Sequence, residues 1–191
     1  DLGISSMQID NPERGFSYKV DGPLDLRMNP QKGISAAERL KEVTQEELYG
    51  MLLENADEPY AEEISKAVIR QRRIRPIETT TDLKQVIEQA LSFIPEKERK
   101  EAVKKSCQRS FQALRIDVNS EFEVLYDFLD KLPQVLAPNG RTAILTFHSG
   151  EDRLVKKSFK QFYKEGIYSD ICKDVIRPSQ EERASNSRAK S

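Results

Sequence analysis

The first half of the chain repeats apolar residues at helical spacing between charged and amide side chains. Between residues 35 and 105 this spacing predicts four successive helices. Ser35 and Thr44 each precede a glutamate by three residues, which is the spacing of a capping box at the start of a helix. The next two helices are expected near residues 61–75 and 83–94, each followed by a proline. No clear strand pattern falls in this region, so it is predicted to be all-helical.

The pattern changes from about residue 106 onward. Ser120, with a glutamate three residues later, predicts the capped start of another helix. Residues 142–147 form a short apolar run that suits a buried strand, and a helix is expected over residues 152–163. A last strand is predicted near residues 171–176. This succession of helix, turn, strand, loop and helix favours an α/β domain with a parallel sheet.

Residues 1–33 are predicted to form a loop, because glycine and proline punctuate them throughout. The opening of this loop combines an acid, hydroxyls, an amide and a Pro-Glu-Arg-Gly turn, and few of its residues can build a core. A loop this polar is typical of one that faces a ligand. Its place at the N-terminus, without an initiator methionine, indicates that the chain begins inside a larger fold.

Together these patterns predict an α/β domain interrupted by a helical insertion. We expect residues 1–34 to be a ligand-facing loop and residues 35–105 to be the insertion. Residues 106–178 would return to the α/β domain, and residues 179–191 would be a flexible tail. In open α/β sheets ligands bind beyond the carboxyl ends of the strands, so the opening loop and residues 147–149 are expected at that edge.

Composition bounds the class of protein. The chain has 191 residues, of which 33% are charged and 37% hydrophobic, so it is polar but able to fold as one ordinary domain or two small ones. No apolar run approaches the roughly 20 residues that span a bilayer, and no secretory signal is visible. Cys107 and Cys172 lack metal-ligand spacing, which indicates reduced thiols in a cytoplasmic protein.

The net charge of −1 argues against indiscriminate nucleic-acid binding, so any basic surface must be local. Cations cluster without acids over residues 104–115 and 153–164, and an arginine-rich stretch covers residues 70–75. Each cluster could neutralise RNA phosphates or could be a solvated helix face. Three such clusters favour one basic side that faces RNA.

Five blocks of sequence, in order along nearly the whole chain, resemble one family. They are DLGISSMQIDNPERGFSY at the start, DGPLDLRM over 21–28, FQALRI with VN over 111–119, FHS with EDR over 147–153, and RPS with SRAK in the tail. The chain resembles the MraW/RsmH family of S-adenosylmethionine-dependent methyltransferases, which modify N4 of a cytosine in the 16S rRNA of the bacterial small ribosomal subunit. Agreement in five ordered blocks makes a chance match implausible.

The resemblance implies a Rossmann-like class I methyltransferase domain, incomplete in this chain, that is interrupted by an all-helical substrate-recognition insertion. It implies S-adenosylmethionine as cofactor, the small ribosomal subunit as partner, and a cytoplasmic enzyme with no membrane contact. Residues 1–34 are then the active-site loop of the methyltransferase domain. Family members carry the Gly-rich cofactor loop ahead of the point where this chain begins, so the chain alone is expected to be inactive.

By the same resemblance, Asp1 and Gln8 match positions that contact S-adenosylmethionine. Asp1 would bind the ammonium group of the cofactor, and a contact with the cytosine amine is the alternative. Gln8 has a second interpretation as a structural amide of the loop. Asp1 and Ser5 are candidate catalytic residues, and Ser5 either donates to the base or closes the turn.

His148 is the single histidine and lies between the predicted strand and a polar loop. It is a further catalytic candidate, placed to orient the RNA or the opening loop, or it is structural. It has no cysteine or second histidine at metal spacing, so no metal site is predicted. Arginine and lysine suit phosphates and Phe16 suits a base, although Arg14 could equally lock the loop. The RNA-binding candidates are Arg14, Phe16, Arg115, Lys156 and Lys157.

Two features leave a second function open. The chain contains no GxGxxG-like segment, and Gly150 stands where the family has leucine, which is expected to remove a packing side chain. A non-catalytic RNA- or ribosome-binding module that kept the helical insertion but lost the cofactor half is therefore the alternative.

Overall fold

Helices make up every regular element in the part of the chain that the structure describes. This computed structural model describes residues 2–186 and residue 189. The helices are α1 (Ser6–Asp10), a 3-10 turn (Pro12–Arg14), α2 (Ala36–Glu42), α3 (Gln45–Ala56), α4 (Ala61–Ile74), α5 (Thr80–Ala90), α6 (Glu96–Asn119), α7 (Glu121–Val135), α8 (Ser149–Lys164) and α9 (Gln180–Ser185).

The chain divides into two compact units. The helical unit comprises Ile4–Glu121. The C-terminal unit comprises Leu2 and Gly3 together with the described residues from Phe122 onward. The prediction that residues 35–105 are a separate insertion is not tested by this division and stays a prediction.

The helical unit is built around α3, which packs against both α4 and α6. Leu48 and Leu52 of α3 are 1% exposed, and they lie in one continuous apolar core with Ile64 of α4 and Leu114 of α6. Burial of this core supplies the main free energy that favours folding of the unit. The predicted all-helical character of residues 35–105 is therefore confirmed.

Capping boxes start two of these helices where the sequence predicts them. The Ser35 side chain accepts from the Glu38 backbone N–H, and the Ser35 N–H donates to the Glu38 carboxylate at 2.7 Å. Thr44 and Glu47 repeat this arrangement at the start of α3. The donated backbone N–H lowers the pKa of Glu38 below its ordinary value. Each box satisfies backbone donors that the first helical turn would leave without partners.

The N-terminal segment joins the same core. Leu24 and Leu26 are each 1% exposed and pack in the apolar cluster of the helical unit. The Leu24 N–H donates to the Glu78 carbonyl at 2.9 Å, and the Thr80 N–H donates to the Gly22 carbonyl at 2.9 Å. The segment predicted as loop is therefore ordered against α5, and it contains α1 and the 3-10 turn as well.

The C-terminal unit has a small apolar core. Leu125 and Leu129 of α7 pack with Val155 of α8, and these three residues are at most 8% exposed. Several large apolar side chains of the same unit are exposed. They are Val124, Tyr126, Phe128, Val135, Leu145, Phe147, Tyr163, Ile167, Val175 and Ile176.

The predicted strands at residues 142–147 and 171–176 are wrong for this structure, because the described residues contain no β-strand. A strand forms only where a neighbouring segment supplies a ladder of hydrogen bonds. Among the described residues, the 142–147 run takes part in one such backbone bond, from the Leu2 N–H to the Leu145 carbonyl at 3.1 Å. The described residues therefore do not confirm the α/β domain that the sequence predicts.

One smaller prediction also differs from the structure. Ser120 has a left-handed backbone (φ 49°) and ends α6, whereas the N-cap of a capping box is extended. The predicted box with Glu123 is therefore wrong. In the tail, Gln180–Ser185 form a short helix capped by the Ser179 side chain, and the predicted flexibility of residues 179–191 stays a prediction.

Candidate functional site

The opening loop is held by a reciprocal cap between Ser5 and Gln8. The Ser5 N–H donates to Gln8 Oε1 at 2.8 Å, and the Gln8 N–H donates to Ser5 Oγ at 3.3 Å. This pair is a capping box that starts α1. In this structure both candidates close the turn through these bonds. Asp1, the third candidate in this loop, lies outside the described residues.

Arg14 fastens the opening segment to the residues after Asp25. Its Nη2 donates to the carbonyls of Arg27 and Met28 at 2.9 and 2.7 Å. Its guanidinium also lies over the Phe16 ring, 5.5 Å from the ring centre. Because these bonds are internal, Arg14 here has the locking role that the sequence left open, with the two carbonyls as its partners.

Phe16 lies in the core of the helical unit, where it is only 8% exposed. Its ring is therefore closed to a stacking base in this structure. The preceding Gly15 has φ +69°, and a Cβ built there would lie 2.1 Å from the Pro23 carbonyl oxygen. The Pro-Glu-Arg-Gly turn thus needs glycine at this position for both its backbone conformation and its close approach to Pro23.

Arg115 is engaged within the helical unit. Its guanidinium donates to both carboxylate oxygens of Glu121, at 2.7 and 3.1 Å, and both side chains are at most 15% exposed. A bidentate pair of this kind is geometrically specific and holds the arginine in one orientation. In this structure Arg115 supports the end of α6.

Asn119 is a residue whose role the sequence does not reveal. Its side chain accepts from the Met28 N–H at 2.7 Å and donates to the Leu26 and Arg115 carbonyls, each at 2.8 Å. Leu26 has φ 63°, which is unusual for a residue with a side chain. An asparagine at a helix end offers both a donor and an acceptor, but no spacing rule finds partners 91 and 93 residues away.

The DLRM segment is thereby held from two directions. Arg14 donates to carbonyls on one part of it, and Asn119 brackets Leu26 and Met28. Asp25 and Arg27 also pair with each other at 2.7 Å. The hydrogen bonds thus join three of the blocks that resemble the family, those that contain Arg14, DLRM and Asn119.

In the C-terminal unit, His148 and Glu151 lie at the start of α8. Glu151 is 3% exposed, and its carboxylate accepts from the Phe147 N–H at 2.8 Å. His148 Nε2 lies 3.4 Å from the other Glu151 oxygen, and the histidine side chain is 11% exposed. The positive end of the helix dipole stabilises a carboxylate in the first turn of a helix. Within the described residues, neither ring nitrogen of His148 makes a hydrogen bond.

Gly150 fills a tight place between two rings. A Cβ built on it would lie 2.6 Å from Phe122 Cζ and 3.1 Å from His148 Nδ1. The two rings are themselves 5.9 Å apart. The expectation that glycine here removes a packing side chain is therefore corrected, because Phe122 already occupies that space.

The two lysine candidates lie on exposed positions of α8. Lys156 pairs with Asp152 at 2.7 Å one turn earlier. Lys157 is exposed and, within the described residues, has no ion-pair partner. These are the RNA-binding candidates whose cations face solvent in this structure.

The whole sequence matches the profile of a known protein family. The chain belongs to the MraW methylase family, whose profile matches residues 1–191. It is 68% identical to "Ribosomal RNA small subunit methyltransferase H 1" of Lachnoclostridium phytofermentans, over all of this chain and 52% of that protein. It is 67% identical to the protein of the same name from Agathobacter rectalis, over all of this chain and 55% of that protein.

A more distant relative carries the same kind of name. "Ribosomal RNA small subunit methyltransferase H" of Thioalkalivibrio sulfidiphilus is 45% identical over 82% of this chain and 48% of that protein. The chain thus spans about half the length of the curated relatives it matches. Among the described helices, none is long and apolar enough to cross a membrane.

Proposed function

We propose that this chain is the acceptor-side part of an S-adenosylmethionine-dependent enzyme that methylates N4 of a cytosine in 16S rRNA. The observation that carries the proposal is the family match over residues 1–191, with 68% identity to a small-subunit rRNA methyltransferase. The small ribosomal subunit is then the partner and the cytoplasm the place of action.

We further propose that residues from about 106 to 178, with the opening loop, belong to a class I α/β domain whose sheet is completed by residues outside this chain. The exposed apolar side chains of the C-terminal unit support this, because large patches of this kind mark surfaces that pack against another segment. Residues 35–105 would be the substrate-recognition insertion.

The described residues do not by themselves fit the cofactor. Gln8 Oε1 is engaged by the Ser5 N–H, and Asp1 lies outside the described residues. We therefore assign no catalytic step through the cofactor to the described side chains. From the lack of a GxGxxG-like segment we propose that the isolated chain binds S-adenosylmethionine poorly or not at all.

What the acceptor side must supply follows from the substrate. The lone pair of a cytosine amine is delocalised into the ring, so acceptors that hold its N–H groups favour a nucleophilic, pyramidal nitrogen. Positioning and electrostatics then account for the rate, with no covalent intermediate. Asp1, Ser5 and His148 remain the proposed catalytic candidates, and the target base must be unpaired to reach the methyl group.

The RNA contacts are proposed on the exposed lysines. Lys156 and Lys157 present cations to solvent on α8, where they could bind phosphates. The other three candidates, Arg14, Phe16 and Arg115, have their contacts inside the helical unit. We propose that they support the RNA-binding surface and contribute less to direct contact with RNA.

Calorimetric titration of S-adenosylmethionine tests the proposal. The ligand is titrated into the 191-residue chain and into a version extended by the part of the Lachnoclostridium relative that this chain does not cover. We expect binding by the extended protein alone, and methyl transfer by it to small subunits that carry unmethylated rRNA. Binding by neither protein would favour the non-catalytic RNA-binding module instead.

A further inference from the structure

The arginine-rich end of α4 carries two guanidinium groups that the fold does not use. Arg72 donates to the Leu40 and Val43 carbonyls, and Arg75 pairs with Asp82 at 2.6 Å. Arg70 and Arg73 are exposed, and within the described residues neither has a hydrogen-bond or ion-pair partner. Half of this cluster is therefore structural and half is available to a ligand.

Both available arginines line a groove. It has a volume of about 380 Å³ and is formed by the Glu63, Lys66, Ile69, Arg70 and Arg73 side of α4 with the ends of α3 and α5. We call this the α4 groove. Lys66 also faces it, although its Nζ is shared with Glu62 at 2.5 Å. Because Glu62 neutralises Lys66, the remaining charges of the lining are Arg70 and Arg73 against the carboxylate of Glu63, and this net positive charge suits an anionic ligand.

The cations follow one line along the helix. Lys66, Arg70 and Arg73 are spaced four and three residues apart, so they share one face. At about 1.5 Å per residue they span roughly 10 Å of the helix axis. That is the length over which one nucleic-acid strand presents about two or three phosphates.

An aromatic pair lies close in the sequence to residues that line the groove. Tyr60 directly precedes α4, and Phe93 follows α5 three residues after Ala90, which lines the groove. The two rings pack edge to face with centres 6.0 Å apart, and Phe93 is 61% exposed. Sites for unpaired nucleic acid combine a cationic groove for phosphates with an exposed ring on which a base stacks.

We propose that the α4 groove binds a single strand of RNA, with Arg70 and Arg73 on phosphates and a base stacked on Phe93. The proposal rests on the proposed function, since it names a segment of the rRNA substrate that the helical unit would hold. Unpaired RNA is favoured over a duplex because stacking on Phe93 requires a base that has left its helix.

The test is fluorescence-anisotropy binding of the 191-residue chain to a labelled, unstructured single-stranded RNA, measured over a series of KCl concentrations. The phosphate variant is Arg70→Gln with Arg73→Gln. We expect about tenfold weaker binding at low salt and a log K against log salt slope that is shallower by about 1.4, since two phosphate contacts are lost.

The stacking variant is Phe93→Ala. We expect about tenfold weaker binding with an unchanged salt slope, because a base contact releases no counterions. The matched control is Lys19→Gln with Lys32→Gln, which removes two cations from exposed loop positions of the same unit. Its affinity should stay within twofold of the wild type and its slope should not change.

Several results would overturn the proposal. One is a wild-type chain that does not bind the RNA, and another is equal losses in the arginine variant and the lysine control. A third is displacement of the RNA by polyglutamate as readily as by unlabelled RNA, which would reassign the groove to an acidic polypeptide. None of these touches the methyl-transfer assay of the extended protein, so failure of the groove and failure of the proposed function are distinguishable.

Discussion

Hydrogen bonds around Leu26 hold this residue in a left-handed backbone conformation. With φ 63° and 1% exposure, it combines a conformation that side chains disfavour with complete burial. Asn119 holds the Leu26 carbonyl and the Met28 N–H, and Arg14 holds the carbonyls of Arg27 and Met28. The strain is thus offset by hydrogen bonds from residues distant in the sequence.

Replacing Asn119 with alanine tests this arrangement. The change removes three hydrogen bonds and leaves the Met28 N–H and the Leu26 carbonyl without their partner. We expect the free energy of unfolding to fall by about 2 kcal/mol, measured by urea denaturation. Gln108→Ala, which truncates an exposed amide on the same helix, is the control and should change stability by less than about 0.5 kcal/mol. Equal effects of the two changes would contradict this role.

The two cysteines differ in environment although neither is paired. Cys107 is 0% exposed in the helical core, whereas Cys172 is exposed. Burial raises the pKa of the Cys107 thiol from its ordinary 9.0 to about 12, since the thiolate is disfavoured away from water. A thiol of this kind is unreactive at neutral pH.

Thiol titration with Ellman's reagent at pH 8 is therefore expected to modify Cys172 alone in the native chain and both cysteines after denaturation. The Cys172→Ser variant should show no native reaction, and rapid labelling of that variant would contradict the burial.

Because the folded pKa of Cys107 is raised, its contribution to stability is complete below pH 9.0 and is lost as the pH rises toward 12. Unfolding in urea should accordingly become easier across that range.

At the scale of elements, the sequence predicts the start of a helix correctly where the capping bonds are local. The capping boxes at Ser35 and Thr44 are confirmed, because their bonds join residues three positions apart and need no tertiary partner. The same spacing fails at Ser120, since α6 continues to Asn119 and leaves Ser120 to end it in a left-handed conformation. A sequence window around Ser120 does not contain that information.

A strand forms only if another segment pairs with it through backbone hydrogen bonds, and part of the candidate site also depends on contacts between residues distant in the sequence. The apolar run at residues 142–147 has the composition of a strand but gains one backbone bond from Leu2 among the described residues. In the candidate site, Ser5 and Gln8 have the S-x-x-Q spacing of a capping box, so their mutual bonds follow from a local signal. The bonds that join Asn119 to Met28 and Leu26 span 91 and 93 positions of the sequence, and periodicity does not report them.

Two glycines within helices give a paired prediction at this scale. Gly150→Ala in α8 would bring a Cβ to 2.6 Å from the Phe122 ring, so Phe122 must shift and the melting temperature should fall, at a cost of about 1–3 kcal/mol. Gly50→Ala in α3 meets nothing within 4 Å and should stabilise its helix by about 0.5–1 kcal/mol. Circular dichroism during thermal unfolding measures both changes. Similar shifts of the same sign would contradict the crowding at Gly150.

At the scale of the whole molecule, the two units differ in how much apolar surface they bury. The core of the helical unit draws on α2 to α6 and on the segment around Leu24. The core of the C-terminal unit contains three buried residues, and side chains such as Tyr126 and Val135 are 66% and 75% exposed. Since burial of apolar area is the main source of stability, the two units should open independently and at different cost.

Hydrogen–deuterium exchange of the 191-residue chain measures this difference directly. Amides of α3 and α6 lie in the larger core and should exchange at least tenfold more slowly than those of α7 and α8, which corresponds to about 1.4 kcal/mol or more in opening free energy. In the extended protein, completion of the sheet should cover the exposed apolar side chains and slow exchange in α7 and α8 while α3 stays unchanged. Equal protection of the two units in the 191-residue chain would show that the small core suffices, and the proposed need for a covering segment would then be wrong.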